Sequence, residues 1–271
     1  MNNVQLPKKQ SMLCELINNN SITNDIFQLD FIWPQNAQAG FAAPRAGQFF
    51  MIKPKKSAVF LGRPISMSQF LESNTVRFLV AVRGKGTLEL SSMRSGEEAE
   101  LIGPLGNSWE DFLPAPAKNE KPIALIGGGI GVAPLLSLLC EESEYTFDLY
   151  AGFKNVLNSV QKDLLLGAAF IKAENTIIAA ENSKEGHKGF ITDFVKPENY
   201  AAICACGPEP MLKTIAVKCA ASGVPCFISM ERQMACGVGA CLGCTITTVN
   251  GNRRCCADGP VFNSQEVIFN E

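Results

Sequence analysis

Five of the eleven cysteines of this 271-residue chain lie in one short, glycine-rich segment near its carboxyl end. Three follow the spacing Cys236-x4-Cys241-x2-Cys244, and two adjacent ones, Cys255 and Cys256, come after a predicted hairpin. This is the spacing of a plant-type 2Fe-2S site, in which a tight loop surrounds the cluster and the last thiolate arrives from another strand. Glycines between the cysteines let the loop backbone turn its amides toward the sulfur atoms. The segment therefore predicts a 2Fe-2S cluster.

A structural zinc site is the alternative for this segment, because four thiolates also bind zinc. Structural zinc sites commonly use two Cys-x2-Cys pairs, and here only Cys241 and Cys244 form one. The spacing therefore favours the iron-sulfur cluster. Neighbouring side chains of an extended strand point in opposite directions, so only one of Cys255 and Cys256 faces the cluster. The spacing leaves that choice open.

Two glycine-containing turns have the composition of a nucleotide site. Residues 127–134, Gly-Gly-Gly-Ile-Gly-Val-Ala-Pro, follow an apolar run and open a predicted helix, so backbone amides there can receive a pyrophosphate. A purely structural turn is the alternative, since the spacing departs from G-x-G-x-x-G. The turn at residues 206–211, Cys-Gly-Pro-Glu-Pro-Met, ends another predicted strand, and open sheets bind ligands at such strand ends.

Two further motifs lie in the first third of the chain. Arg-Pro-Ile-Ser at residues 63–66 supplies a cation that can pair with a phosphate and a hydroxyl that can reach a flavin ring. An exposed Arg-Pro turn is the alternative. Gly-Lys-Gly-Thr at residues 84–87 precedes a short helix predicted over residues 88–93, whose amides can also receive a phosphate. The alternative there is an ordinary hairpin with a helix cap.

The elements that must position these motifs fall into three regimes. Short apolar runs between residues 11 and 100, separated by Gly, Pro and Asn, predict antiparallel strands and a small barrel. From residue 122 onward, apolar runs alternate with helical segments, which predicts a parallel sheet in an α/β domain. The chain becomes Gly- and Cys-rich after residue 227, with a hairpin predicted around Asn250-Gly251 in a small third module.

A linker rich in Pro and Ala, residues 113–118, separates the first two regimes, and an Ala- and Gly-rich surface loop is predicted between residues 34 and 44. We therefore expect a multidomain protein with three parts: an antiparallel β-barrel over residues 1–115, an α/β nucleotide-binding domain over residues 119–225, and a cluster module over residues 226–271.

Composition excludes several classes of function. Hydrophobic residues make up 46% and charged residues 18% of the chain, which is typical of a folded globular protein. The net charge of -2 and the lack of a long basic run argue against a nucleic-acid partner. Residues 123–140 are long and apolar, but their glycines and Pro134 argue against a membrane span. The amino terminus lacks the apolar core of a secretory signal, so we expect a cytoplasmic protein.

In this order, the motifs resemble those of the electron-transfer subunits of dihydroorotate dehydrogenase B, a family of the ferredoxin reductase superfamily. The resemblance covers nearly the whole chain and also rests on Gly-Pro-Leu-Gly at residues 103–106 and Cys-Ala-Asp-Gly-Pro at residues 256–260. That family places its fourth cluster cysteine two residues before Asp-Gly-Pro. The resemblance therefore selects Cys256 and leaves Cys255 as a bystander.

The resemblance implies FAD in the barrel, a nicotinamide site on the α/β domain and a 2Fe-2S cluster in the last module. The FAD contacts that carry over are Arg63, Pro64, Ile65, Ser66, Gly86 and Thr87, with backbone contacts from Leu79, Val80 and Ala81. The nicotinamide site comprises Gly128, Gly129, Gly131, Cys206 and Gly207, and the cluster ligands are Cys236, Cys241, Cys244 and Cys256.

Two positions qualify this carry-over. Relatives commonly have Tyr-Arg before the Gly-x-Gly-Thr turn, where this chain has Val80-Ala81, so we expect side-chain contacts from that strand to differ. For Cys206, which the resemblance places near the nicotinamide, buried packing is the alternative to a role in the pocket.

The resemblance further implies a heterotetramer with an FMN-containing catalytic subunit that oxidises dihydroorotate in pyrimidine (UMP) biosynthesis. Electrons would pass through the cluster and FAD to NAD; a flavin is required because NAD exchanges hydride and the cluster single electrons. No acid-base set is present, and His187, the only histidine, is predicted to lie in a surface loop. The alternatives are a related NAD(P)H reductase subunit serving ferredoxin or sulfide oxidoreduction, and a zinc-stabilised binding module without redox activity.

Overall fold

The computed structural model describes residues 10–34, 43–115, 121–140, 143–183 and 187–269. The amino-terminal segment, most of the loop predicted at residues 34–44 and the second half of the linker at residues 113–118 lie outside these residues. Among the helices described, none is long and apolar enough to cross a membrane.

The first sheet is a closed antiparallel barrel of six strands in the order β1-β2-β5-β4-β3-β6. Its strands are β1 (Gln10–Ser21), β2 (Ile26–Ile32), β3 (Phe49–Pro54), β4 (Arg63–Leu71), β5 (Thr75–Ala81) and β6 (Glu98–Leu105). Aromatic residues fill the barrel: the Phe50 ring meets Trp33 and Phe78 edge to face, with ring centroids 5.2 and 5.4 Å apart. The predicted barrel is confirmed.

Strands β4 and β5 separate at one end of the barrel. Their pairing runs only from Met67, opposite Phe78, to Leu71, opposite Thr75. Beyond that point, in the described part of the barrel, residues 63–66 pair with β3 alone and residues 79–81 with β2 alone. Both segments predicted to bind FAD therefore lie along an open seam, where edge groups of the backbone can meet a ligand.

Helix α1 (Lys85–Ser91) begins three residues earlier than the helix predicted over residues 88–93. Its first turn is closed by Thr87, whose hydroxyl accepts hydrogen bonds from the backbone N–H groups of Arg83 at 2.8 Å and Gly84 at 3.2 Å. This side-chain capping satisfies amides that the first helical turn leaves unpaired. The Gly-Lys-Gly-Thr motif is thus part of the helix start rather than a loop in front of it.

The second sheet has seven strands in the order β10-β9-β8-β7-β11-β12-β15 and is parallel except for the edge strand β15. These strands are β7 (Ile123–Gly128), β8 (Phe147–Phe153), β9 (Asn175–Ala180), β10 (His187–Lys188), β11 (Ala202–Cys206), β12 (Cys226–Ser229) and β15 (Val261–Asn263). The helices between them are α2 (Ala133–Cys140), α3 (Ser159–Lys172) and α4 (Glu209–Ser222). The predicted α/β domain is confirmed, and its central strands are apolar because both faces are covered.

The carboxy-terminal part is joined to this sheet. Residues 226–229 form β12 beside β11, so the boundary predicted between residues 225 and 226 falls in front of a strand of the α/β sheet. Strand β15 then returns along β12, and only β13 (Thr245–Thr248) and β14 (Gly251–Arg254) form a separate hairpin. The hairpin's two turn residues are Val249 and Asn250, one position earlier than the predicted Asn-Gly turn, because Gly251 already pairs with Thr248.

His187 also lies elsewhere than predicted. It is exposed, as expected, but it belongs to the short edge strand β10 and its ring packs edge to face on Phe194, with centroids 4.8 Å apart. A two-residue strand has too little sequence pattern to be recognised.

Buried contacts fix the barrel against the α/β domain. The fully buried Trp109, which follows β6, donates its indole N–H to the carbonyl oxygen of Pro134 in α2 at 3.0 Å. Gln69 of β4 lies beside Cys140 at the other end of α2, with 2.9 Å between its side-chain nitrogen and the sulfur. Because both ends of α2 contact the barrel, the space between the two domains is fixed.

Replacing Asp30 with Ala should destabilise the barrel strongly. Its carboxylate is buried and accepts two hydrogen bonds from Arg77, at 2.8 and 3.0 Å, and one each from Gln28 and Asn18. The substitution leaves these donors without their partner, so we expect the free energy of unfolding in urea to fall by about 2 kcal/mol. Lys55→Ala, which removes an exposed ion pair with Glu98, is the matched control and should change it by less than about 1 kcal/mol. Equal losses of stability in the two variants would contradict this role of the Asp30 carboxylate.

Candidate cofactor sites

A cavity of 260 Å³ lies between the open seam of the barrel and the α/β domain. Six of the residues predicted to contact FAD line this cavity: Pro64, Ile65, Ser66, Leu79, Ala81 and Thr87. The opposite wall includes Met230 after β12, which the sequence motifs did not single out, and Pro260 before β15, the last residue of the Cys-Ala-Asp-Gly-Pro motif. Val80 is not part of this lining, because alternation along β5 turns its side chain into the barrel core.

Arg63 and Gly86 bring the two barrel motifs together. The Arg63 guanidinium donates to the carbonyl oxygens of Leu61 and Gly62 at 3.0 and 3.3 Å, and it lies against the backbone of Gly86. A Cβ atom at residue 86 would be 2.2 Å from Nε of Arg63, so only glycine permits this approach. The result is a cation held beside the first turn of α1, which suits a phosphate group.

A second cavity, of 320 Å³, lies at the carboxyl ends of β7 and β11. Gly128, Gly129, Gly131 and Gly207 line it, so the two predicted turns meet at one site. They meet closely, because a Cβ at Gly131 would stand 2.4 Å from the carbonyl oxygen of Cys206. Such a site, at the carboxyl edge of an open parallel sheet, is where nucleotides bind.

The two cavities share a wall formed by Arg83, Ile130, Met230, Glu231 and Arg232. Of these five residues the sequence motifs included only Ile130, and only the folded chain brings the five together. Protein around the Glu231 carboxyl raises its pKa through desolvation, and the neighbouring Arg83 opposes that rise. Ligands in the two cavities would therefore be neighbours across a charged boundary.

Cys206 does not line either cavity. It is buried at the end of β11, and desolvation together with the nearby Glu231 raises the pKa of its thiol, while a hydrogen bond with Ser229 lowers it. Its carbonyl oxygen lies so close to Gly131 that residue 131 has no room for a side chain. The structure thus places Cys206 beneath the second cavity, as the packing alternative expected.

The cysteines of the carboxy-terminal loop form two pairs. The thiol of Cys236 interacts with that of Cys241, and the thiol of Cys256 with that of Cys244. In the part of the chain that the structure describes, no three Cys, His, Asp or Glu side chains converge as they would around a single metal ion. Two pairs of thiolates suit the two irons of a 2Fe-2S cluster, whereas a structural zinc ion takes all four ligands at one point.

Backbone amides surround these sulfur atoms. The N–H groups of Val238 and Cys241 donate to Sγ of Cys236 at 3.4 Å, and that of Gly239 donates to Sγ of Cys256 at 3.1 Å. Desolvation raises the pKa of the Cys236 thiol, but the amide donors outweigh it and lower the pKa to about 6. These amides therefore stabilise the thiolate of Cys236, the form that binds iron.

Cys255 and Cys256 have different partners, although both lie in the turn that follows β14 and not in the extended strand expected from the sequence. The Cys256 sulfur faces Gly239 and Cys244, whereas the fully buried Cys255 sulfur donates to the carbonyl oxygen of Met230 at 3.1 Å. Desolvation raises the pKa of both thiols to about 12, so the partners of the two sulfur atoms, and not their pKa values, distinguish them. The geometry therefore favours Cys256 as the fourth ligand.

Asn107, which follows β6, holds residues 258–261 against the barrel; these residues, the cluster segment, come just after Cys256. Its side-chain NH₂ donates to the carbonyl oxygens of Asp258 and Val261 at 3.3 and 2.8 Å, and its side-chain oxygen accepts from the Val261 N–H at 2.9 Å. Its own backbone N–H donates to the Gly259 carbonyl at 2.7 Å. The Gly-Pro-Leu-Gly motif directly before Asn107 pointed to this region, but without indicating the partner.

The barrel with its seam cavity, the nucleotide-type cavity and the paired cysteines together define an iron-sulfur flavoprotein of the ferredoxin reductase type. The model of the iron-sulfur cluster binding domain of dihydroorotate dehydrogenase B matches residues 231–268. The FAD and 2Fe-2S predictions are confirmed, and the chain is an oxidoreductase subunit. A zinc-stabilised binding module is therefore the wrong alternative.

Similar proteins identify the family. The chain is 42% identical to the dihydroorotate dehydrogenase B (NAD(+)) electron transfer subunit of Clostridium perfringens over 83% of this chain and 87% of the relative. It is 34% identical to the subunit of the same name from Caldanaerobacter subterraneus, over 95% and 98% of the two chains. The chain belongs to the family of dihydroorotate dehydrogenase B electron transfer subunits, as the resemblance predicted.

Solved structures share the architecture. A structure of an NADH-dependent reduced ferredoxin-NADP oxidoreductase, studied for flavin-based electron bifurcation, is 27% identical, covers 95% of this chain and 90% of its own, and has a TM-score of 0.77. A ferredoxin NADP+ reductase from Neisseria gonorrhoeae with bound FAD and NADP is 17% identical, with 83% and 95% coverage and a TM-score of 0.62. The second shows the fold alone.

Asn107→Ala should loosen the cluster segment. Removing the three side-chain hydrogen bonds leaves backbone groups of residues 258–261 unpaired, which costs about 2 kcal/mol and opens the segment roughly thirtyfold more often. Under anaerobic conditions, an iron chelator should remove iron correspondingly faster. The absorbance of the cluster measures the rate of iron loss. Asn155→Ala, at an exposed position of the α/β domain, is the control. An unchanged rate of iron loss for Asn107→Ala would refute this role of Asn107.

Proposed function

We propose that this chain carries electrons from the FMN of a dihydroorotate dehydrogenase catalytic subunit, through a 2Fe-2S cluster and FAD, to NAD+ in pyrimidine (UMP) biosynthesis. The observation that carries the proposal is the arrangement of three sites in one chain, with two cavities that share a wall and a cysteine loop clamped beside them. The relatives from Clostridium and Caldanaerobacter carry NAD(+) and dihydroorotate dehydrogenase in their names.

Residues of the barrel would hold FAD. Ile65, Ser66 and the open edge of residues 79–81 face the seam cavity and are placed to bind the flavin ring. Arg63 beside Gly86, with Thr87 closing the turn, is placed to bind the phosphates. The flavin, when bound, would supply the exchange between hydride and single electrons.

The second cavity would hold the nicotinamide nucleotide. Gly128, Gly129, Gly131 and Gly207 leave room for it at the carboxyl edge of the sheet, with Cys206 beneath them as support. Glu231 and the ion pair of Arg232 with Glu209, 3.1 Å apart, border this cavity. Their charges would help to orient the nucleotide beside the flavin.

The cluster loop would face the partner subunit. We assign Cys236, Cys241, Cys244 and Cys256 as its ligands, and Cys241 lies on the exposed side of the loop. Leu242 next to it is also exposed, at 62% of its surface, so an apolar contact is available where electrons would enter. A heterotetramer of two such subunits around a dimer of the catalytic subunit, in the cytoplasm, completes the proposal.

The three expected parts keep their roles under this proposal: residues 1–115 for FAD, 119–225 for NAD and 226–271 for the cluster. Strand β12 is shared, because it belongs to the sheet and leads directly into the cluster loop. A reductase subunit that serves ferredoxin or sulfide oxidoreduction is the second candidate, favoured by the 27%-identical ferredoxin-NADP oxidoreductase structure.

Anaerobic co-purification with the organism's dihydroorotate dehydrogenase catalytic subunit, followed by an assay of dihydroorotate-dependent NAD reduction, tests the proposal. Cys256→Ser should abolish the activity and lower the iron content, because it removes a thiolate ligand. Cys255→Ser, its neighbour, should retain both. If the unaltered yellow-brown protein neither binds that subunit nor reduces NAD, the dihydroorotate assignment falls and the ferredoxin-type candidate takes its place.

Gly86→Ala should weaken FAD binding without unfolding the barrel. The added methyl group displaces the Arg63 guanidinium, and the loss of a charged phosphate contact of about 2 kcal/mol raises the FAD dissociation constant roughly thirtyfold. Gly84→Ala, two residues away, has no atom within 4 Å of the added methyl and should change it by less than about threefold. Arg63→Gln, which removes the charge without crowding, should reproduce the loss, and normal affinity in both Gly86→Ala and Arg63→Gln would exclude this phosphate site.

A further inference from the structure

Cys255, which the sequence left as a bystander, lies where the three parts of the chain meet. Its side chain is fully buried in a core that also contains Phe49 and Leu105 of the barrel, Ile228 of β12, and Cys244 and Cys256 of the cluster loop. A buried thiol at such a junction contributes packing in any case, as small apolar side chains do. The direction of its hydrogen bond indicates a further role.

The thiol of Cys255 donates to the carbonyl oxygen of Met230 at 3.1 Å. Met230 belongs to the wall shared by the two cavities, and its backbone N–H donates to the carbonyl oxygen of Pro260 at 2.9 Å. The backbone of Met230 is therefore held on both sides by the segment that follows the cluster hairpin. Cys255 supplies one of these two bonds, and it does so with a side chain.

On the other side, Cys255 is covalently joined to Cys256, whose sulfur accepts from Gly239 and lies beside Cys244. One peptide unit and one hydrogen bond thus connect a proposed cluster ligand with the wall of the proposed flavin cavity. Bonds made just outside the metal ligands fix the orientation of those ligands, and their loss commonly changes function by 10-fold or more.

We propose that the hydrogen bond from Cys255 to the Met230 carbonyl positions the cluster ligand Cys256 against the flavin cavity, so that single electrons pass between the two cofactors at full rate. Cys255 is a positioning residue: its thiol keeps its proton, forms no bond to iron, and gains or loses no electron. One electron leaves the reduced cofactor and one arrives at the oxidised cofactor. This inference rests on the proposed FAD and cluster sites, and it requires no partner subunit.

The test uses the full chain with its FAD and cluster, made as Cys255→Ala and Cys255→Ser. Under anaerobic conditions, NADH reduces the flavin, and stopped-flow absorbance then follows reduction of the cluster. Iron content, FAD content, the electron paramagnetic resonance spectrum of the reduced cluster and its midpoint potential are measured in parallel. The structure predicts normal cofactor content in both variants and transfer about tenfold slower in Cys255→Ala. Cys255→Ser should stay within about twofold of the unaltered chain, because a hydroxyl donates the same hydrogen bond.

Three results would overturn the proposal: equal transfer rates in all three proteins, loss of iron in Cys255→Ala, or a Cys255→Ser variant as slow as Cys255→Ala. Equal rates would show that Cys255 does not affect electron transfer. Loss of iron would show that Cys255 is a cluster ligand, and a slow Cys255→Ser variant would show that packing, not the hydrogen bond, controls the rate. If NADH does not reduce the flavin of the unaltered chain, the nicotinamide proposal fails instead. Laser-flash photoreduction of the flavin then measures the same transfer.

Discussion

The hydrogen bonds between Asn107 and residues 258–261 hold the cluster segment beside the barrel. The same segment reaches back to the sheet, because the Pro260 carbonyl accepts from the N–H of Met230. Barrel, sheet and cluster loop therefore share one short stretch of backbone. A chain that passes electrons between bound groups needs those groups at fixed separations, and rigid elements provide such separations better than loops alone.

The barrel supplies its cofactor space by leaving two strands apart. In most closed barrels neighbouring strands pair along their shared length, whereas here β4 pairs with β5 only beyond Met67. The segment before Met67 carries Arg63, and the guanidinium rests on the backbone of Gly86 in α1. The separated strands and Gly86, which has no side chain, therefore form one site, although Arg63 and Gly86 are more than twenty positions apart in sequence.

The cluster loop is less independent than a separate module would be. Its entry, β12, is an inner strand of the seven-stranded sheet, and its exit, β15, is the antiparallel edge strand of the same sheet. Both ends of the loop are therefore anchored by backbone pairing. Since Met230 follows β12 directly and lines both cavities, a shift of the cluster loop relative to the sheet would also move the boundary between the cavities.

The sequence by itself determined the chemistry and the main layers. The cysteine spacing predicted the iron-sulfur loop, and the change from short apolar runs to alternating strands and helices predicted the barrel and the α/β domain, because these signals are local. Local signals did not predict every element correctly. The first residue of α1 depends on the Thr87 cap, and β10 is too short to show a pattern.

Only the tertiary structure decided which distant residues share a site. Asn107 contacts Asp258 and Val261, 151 and 154 positions later in the chain. The wall of Arg83, Met230 and Glu231 forms where barrel and sheet meet, and Cys206 is buried without lining the cavity. For Cys255 and Cys256, the cysteine spacing left the choice of ligand open, and only the resemblance selected Cys256. Their different partners follow from the turn after β14, which brings the Cys256 sulfur to Gly239 and the Cys255 sulfur to Met230.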